Sequence, residues 1–211
     1  MVPNLQEELA LRAAGYGRVV GLDEAGRGAW AGPVCAAAVV LPLDRDDVPD
    51  LLHGVRDSKL LTVGRREDLL PLVREVAIAV GVGWAQPAEV DRFGVVSATR
   101  RAMRRAVKGV EGAMAGGAEA LLIDYLRLPA LSLPQRSLAK ADSRCLSVAA
   151  ASIVAKVERD RLMVALDRDY PGYGLAQHKG YGTPQHRGAL AELGPAPIHR
   201  MSWRPIREKL I

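Results

Sequence analysis

Apolar positions along the chain switch between two periods. Arg18–Asp23 (RVVGLD) is short, β-branched and followed by a glycine-bearing turn, which predicts a buried strand. Pro33–Leu41 (PVCAAAVVL) reads the same way, joined to the first run through Glu24-Ala25-Gly26-Arg27-Gly28. Arg74–Trp84 (REVAIAVGVGW) alternates and predicts a third strand, and three successive strands on short or polar connections favour an antiparallel meander. The period then lengthens. Over Ser97–Val110, Thr99, Ala102, Met103, Ala106 and Val110 share one helical face, with Arg100, Arg104 and Lys108 on another. Ala120–Tyr125 (ALLIDY) and Gln135–Ala141 read as strands, and Ser147 to about Asp169 as a long helix burying Ala151, Val154, Ala155, Leu162 and Leu166. Strands, helix, strand and helix imply an α/β fold with a mixed sheet and at least one parallel addition. Residues 170–211 are dense in Gly, Pro, Tyr and His and predict loops and short helices laid over something else.

Composition changes this picture little. The length of 211 residues suits one domain with a small appendage, and 49% hydrophobic residues supply an ordinary core, built mainly from Ala, Val and Leu because aromatics are 4%. A formal charge of +5 is compatible with a polyanionic partner without requiring one. Cys35 and Cys145 are too few for a disulfide scaffold and too isolated for a zinc site, which suits reduced thiols. No stretch reaches the roughly 18–20 apolar residues that span a bilayer, and the first ten residues carry Glu7 and Glu8 without a signal-length apolar run. A soluble, cytoplasmic protein without a membrane partner is expected.

The carboxylates carry the chemistry. Asp23 and Glu24 end the first predicted strand. Neighbours on a regular strand point to opposite faces, so they share a site only if the strand ends or bulges there, as Gly26 and Gly28 would permit. A polar strand end before a turn explains them equally well. Asp124 follows Leu121-Leu122-Ile123 in an otherwise apolar strand, where a carboxylate needs a metal, a cation such as Arg127 or hydrogen-bond donors. Asp142 precedes the long helix and could, like Ser143, simply cap it. Together, four acids near one end of a mixed sheet fit a site for two Mg²⁺ or Mn²⁺ ions, hard cations that prefer oxygen ligands. The histidines 178, 186 and 199 lack zinc-site spacing and read as capping or phosphate-neighbouring residues, the Arg100–Lys108 stripe as a solvated face, and Trp84 and Trp203 as packing residues.

From Val19 to Trp203 these segments resemble the type 2 ribonucleases H, in particular bacterial ribonuclease HII. The matching motifs are GLDEAGRG (21–28), AGPV (31–34), DSKLL (57–61), AMRRAV (102–107), LLIDY (121–125), KADSRCLSVAAASIVAKVERD (140–160), YPGYG (170–174), HKGYGT (178–183) and IHRMSW (198–203). The resemblance implies a ribonuclease H-like five-stranded mixed sheet flanked by helices, with the first strand central beside the fourth. It implies a catalytic domain over 1–169 and a small helical region over 170–211 that completes the substrate cleft. It implies an endonuclease that cuts the RNA strand of RNA–DNA hybrids and the 5′ side of single ribonucleotides in duplex DNA. Asp23, Glu24, Asp124 and Asp142 then match the metal-binding carboxylates, and Gly26, Arg27 and Gly28 a loop that reads the ribose 2′-hydroxyl and phosphate. Tyr181 matches a tyrosine stacked on the junction sugar, and Ser58 and Lys59 contacts to DNA phosphate. Ala29-Trp30 and Gly94-Val95 depart from the family pattern. Junction resolvases and integrases share such a sheet, but the GRG loop and KGYGT suit a sensor of RNA; a non-catalytic binder has no use for four acids facing a phosphate. A monomer is expected, and the tail REKLI shows no evident sliding-clamp motif.

Overall fold

The computed structural model describes residues 2–208. Five strands, β1 (Val19–Ala25), β2 (Val34–Val40), β3 (Ala79–Ala85), β4 (Ala120–Asp124) and β5 (Gln135–Leu138), form one sheet in the order β3-β2-β1-β4-β5. The β1–β2 and β2–β3 pairs are antiparallel, whereas β1–β4 and β4–β5 are parallel. The predicted meander and parallel addition are both present, and β1 is central beside β4.

Nine helices surround the sheet among the described residues: α1 (Gln6–Ala13), α2 (Val48–Leu51), α3 (Val63–Val76), α4 (Pro87–Phe93), α5 (Val95–Ala113), α6 (Leu146–Asp169), α7 (Leu175–His178), α8 (Pro184–Leu193) and α9 (Arg204–Arg207). Period-two alternation divides the core. Val20 and Leu22 of β1, with Val34, Ala36, Ala38 and Val40 of β2, pack against α5. Val19 and Ala25, with Cys35, Ala37 and Val39, pack with α6, α3 and α1. Gly21 lets α6 approach that second face, because a Cβ there would lie 2.4 Å from the Ser147 carbonyl carbon.

Three features differ from the sequence reading. Arg74, Glu75 and Val76 belong to the end of α3, not to β3, and the stretch from Leu41 to Ile78 carries two helices instead of a short link. The alternation of VREVAIAV suits either element, and Thr62, whose side chain accepts from Arg65 N–H at 3.2 Å, starts a helix there. β5 stops at Leu138, and Ala141–Ser143 forms a 3₁₀ turn, because Lys140 is left-handed at φ 57°. Finally, α6 is buried almost all round over Leu146–Ala155, so its first half shows no amphipathic stripe.

Candidate active site

The carboxyl ends of the parallel strands β1 and β4 open into a cleft of 280 Å³. Asp23, Glu24, Ala25, Gly26, Arg27, Gly28, Ser58, Lys59, Asp124, Lys156 and Tyr181 line it. Beyond Leu22↔Ile123 the two strands no longer pair, which leaves a notch at a strand-order switch, where open α/β sheets bind ligands. Toward β2, pairing continues regularly through Asp23↔Ala37, Glu24↔Ala36 and Ala25↔Cys35. The strand therefore neither ends nor bulges at Asp23-Glu24. The two acids share the cleft because the β4 side is open.

Each carboxylate is buried or half-buried and held by a nearby donor. Asp23 Oδ1 accepts from the Glu24 amide at 2.8 Å, and Glu24 Oε1 accepts from Arg27 Nη1 at 3.0 Å. Asp124 Oδ1 accepts from the Ala141 amide at 2.8 Å, so the end of β4 is tied to the turn bearing Asp142, and Arg127 is not its partner. Asp142 is not among the residues lining the cleft; its Oδ2 lies 3.5 Å from Lys59 Nζ. It does not cap α6: the N-cap is Cys145, and Glu8 of α1 receives the Ser147 amide and hydroxyl at 2.9 and 2.7 Å.

Electrostatically the acids oppose one another. Burial, then Glu24, Asp124 and Asp142, push Asp23 well above the usual carboxylate range. Burial also raises Glu24 against the pull of Arg27, and burial with Asp57 and Asp124 raises Asp142. Glu24 Oε2 is buried with no hydrogen-bond partner among the described residues. As oriented, no three acidic, histidine or cysteine side chains among the described residues converge closely enough to enclose an ion. Turned toward Arg27, Ala141 and Lys59, the carboxylates would have to exchange those donors for a cation. An orphaned anionic oxygen and an all-oxygen donor set suit such a cation.

Ser58, Lys59 and Tyr181 line the same cleft. Asp57 Oδ1 accepts from the Lys59 amide at 2.9 Å, forming the 3₁₀ turn that presents Ser58 and Lys59, and the Ser58 amide donates to Ser152 Oγ at 3.2 Å. The Tyr181 ring lies 5.9 Å from Lys156 Nζ, which also lines the cleft. Lys156 escaped the sequence reading. It sits among apolar α6 residues, and only its i,i+4 partner Asp160, at 2.8 Å, hints at a cation held in place. Trp30, one departure from the family pattern, is not among the residues lining the cleft. A Cβ at Gly182 would lie 2.3 Å from its ring, so it packs beneath the KGYGT segment. The histidines form a buried cluster, and His178 Nδ1 and His199 Nδ1 accept from the Gly180 and Ala196 amides at 3.1 and 2.9 Å. His178 and His186 stack at 4.4 Å, His186 Nε2 and His199 Nε2 lie 3.1 Å apart, and all three are buried.

A family model described as Ribonuclease HII matches residues 20–206. The chain is 50% identical over 211 residues to the ribonuclease HII of Chloroflexus aurantiacus, covering 100% of this chain and 98% of that one. Among solved structures, the ribonuclease H2 of Pyrococcus horikoshii superposes with a TM-score of 0.74 at 27% identity, covering 90% of this chain and 96% of that one. The ribonuclease HII of Archaeoglobus fulgidus, solved in complex with PCNA, superposes with a TM-score of 0.73 at 29% identity, covering 89% and 95%. No described helix is long and apolar enough to cross a membrane. The chain belongs to the ribonuclease HII family, hydrolases that act as endonucleases on the RNA of RNA–DNA hybrids.

Proposed function

We propose that the chain cuts the 5′ side of single ribonucleotides in duplex DNA, as well as longer hybrids, with two Mg²⁺ or Mn²⁺ ions held by Asp23, Glu24, Asp124 and Asp142. One observation carries this reading: three of those carboxylates share a single cleft with Gly26–Gly28, Ser58, Lys59 and Tyr181. The ions would neutralise phosphate charge and ease deprotonation of water near neutral pH. The chain's own groups bind and orient. The Arg27 and Gly28 amides meet the ribose 2′-hydroxyl and its phosphate, since no Cβ at Gly28 blocks approach. Tyr181 packs on the deoxyribose 3′ of the ribonucleotide, and Ser58 and Lys59 hold a DNA phosphate without reading sequence. Hydrolysis leaves a 3′-hydroxyl and a 5′-phosphate.

Residues 1–169 act as the catalytic domain and 170–211 complete its cleft, a division supported by Tyr181 lining the cleft together with Asp23, Glu24 and Asp124. The protein works as a cytoplasmic monomer. PCNA accompanies the Archaeoglobus relative, but the tail Arg207–Ile211 carries no evident clamp motif, and its last three residues lie outside the described ones. The test is a duplex with one ribonucleotide beside an all-DNA duplex, with Mg²⁺, with Mn²⁺ and with chelator. The expected result is one metal-dependent cut 5′ of the ribonucleotide. Cleavage in chelator, or equal cutting of the all-DNA duplex, would reject the proposal.

A further inference from the structure

We infer that Arg200, within the IHRMSW segment, is a positioning residue for substrate recognition: it grips the Gly26–Gly28 loop by its carbonyls and so turns the Arg27 and Gly28 amides toward the cleft. The inference rests on the proposed role of that loop.

Arg200 is fully buried, and its hydrogen bonds all end on backbone carbonyls. Nη2 donates to Gly26 O at 2.6 Å and Gly32 O at 3.0 Å, Nη1 to Arg27 O at 2.7 Å, and Nε to Gly32 O at 3.1 Å. In a trans peptide the carbonyl of one residue and the amide of the next point in opposite directions. Drawing Gly26 O and Arg27 O down onto one guanidinium therefore points the Arg27 and Gly28 N–H groups the other way. Neither amide has an acceptor among the described residues. A cation at the carbonyl end also polarises each peptide, making its N–H a stronger donor.

Arg159 closes the underside of the same loop. A Cβ at Gly26 would lie 1.9 Å from Arg159 Nε, and Gly26 is left-handed at φ 87°, so only glycine fits there. Burying a guanidinium without a paired carboxylate is costly. Here the planar fork supplies a geometry no lysine can copy, since one ammonium cannot reach Gly26, Arg27 and Gly32 carbonyls in the same directions.

The test compares the wild-type protein with Arg200→Lys on a single-ribonucleotide duplex and an all-DNA duplex. Binding is measured in chelator and cleavage in Mg²⁺, beside folding by circular dichroism and Mn²⁺ calorimetry on the free protein. Expected for folded Arg200→Lys is a KM for the ribonucleotide duplex raised about tenfold, the loss of one oriented hydrogen bond. Its kcat should change less, its preference for the ribonucleotide duplex should shrink, and Mn²⁺ affinity should hold. In wild-type protein, the Arg27 and Gly28 amide resonances should shift on adding the ribonucleotide duplex and not the all-DNA duplex. Should Arg200→Lys fail to fold, those resonances decide the matter. A folded Arg200→Lys with unchanged KM and preference overturns the inference, as do unmoved amides in a wild type that prefers the ribonucleotide. A wild type without that preference defeats the loop reading itself, and the inference with it.

Discussion

Two buried charged regions meet at the cleft, and they are stabilised in opposite ways. At the sheet end, burial first and neighbouring acids second, Asp124 among them each time, raise the proton affinity of Asp23, Glu24 and Asp142, and Glu24 Oε2 has no donor. Across from them, Arg159 and Arg200 spend their N–H groups on carbonyls of residues 26–33 and 179. His186 and His199 beneath are pushed toward neutrality by burial, His186 to about 4. The acids are internally frustrated and gain from a ligand. The basic groups are satisfied and gain nothing from one. The difference separates a binding site from its scaffold, although both carry buried charge.

The comparison breaks most sharply at Asp124. In Asp124→Asn the side-chain oxygen can still accept from the Ala141 amide, so the tie to the next turn survives while the anionic charge goes. Cleavage should fall about 10³-fold, some 4 kcal/mol of transition-state stabilisation, with little change in melting temperature. Turnover near wild type in Mg²⁺ would remove Asp124 from the chemistry.

Arg159→Met attacks the scaffold instead. Methionine fills the stem volume but strips donors from Pro33, Lys179 and Ala31 carbonyls, bonded at 2.9, 2.9 and 3.1 Å. Unmet buried acceptors should cost roughly 3–5 kcal/mol in total, a melting drop near 10 °C in a chain of this size. An unchanged melt would show that water substitutes for the guanidinium. A smaller effect belongs to Tyr181, which touches both regions. Tyr181→Ala should slow cleavage of the single-ribonucleotide duplex about 10–100-fold, the worth of one lost stacking contact, while Mn²⁺ binding to the free enzyme holds. Tyr181→Phe, which keeps the ring, should lose less. Lost metal binding in Tyr181→Ala would make the ring part of the fold.

How far these regions were legible in the sequence follows the same division. The strands were readable because β2 is apolar on both faces and α5 keeps a clean polar stripe opposite Ala102, Met103 and Ala106. The acids were readable because Asp124 interrupts an apolar strand, although the reason Asp23 and Glu24 share a cleft, an unpaired β4 side, is a property of the sheet and not of either residue. The scaffold was not readable. Arg159 and Arg200 make bonds to backbone carbonyls far away in sequence, and a carbonyl leaves no trace in residue type. Lys156 was hidden likewise, since its place beside Tyr181 depends on where the C-terminal region folds back. The missed helix α3 was a local failure: its last three residues extend the alternation of β3, although Leu69, Leu70 and Val73 recur at helical spacing and Thr62 caps its start.

The smallest expected effect tests the sign of the comparison. Because burial, Asp57 and Asp124 raise the Asp142 carboxyl, its contribution to stability is present at low pH and is lost as pH rises through its elevated titration range. The His186–His199 pair runs the other way: with depressed values, it costs stability as pH falls from the ordinary histidine range toward about 4. Asn at position 142 cannot ionise. In chelator, Asp142→Asn should therefore melt above wild type near pH 8, by about 2–4 °C if the relief is about 1 kcal/mol. The gap should narrow as pH falls and Asp142 takes up its proton, while both proteins lose stability through the histidines. Mg²⁺ at pH 8 should narrow the gap as well, since a cation relieves the same repulsion in wild type. Lys59 Nζ, 3.5 Å from Asp142 and largely exposed, pulls against this prediction but is screened by solvent. If Asp142→Asn instead melts lower than wild type at pH 8 in chelator, the Lys59 pair outweighs the acids, and Asp142 belongs with the satisfied charges of the scaffold.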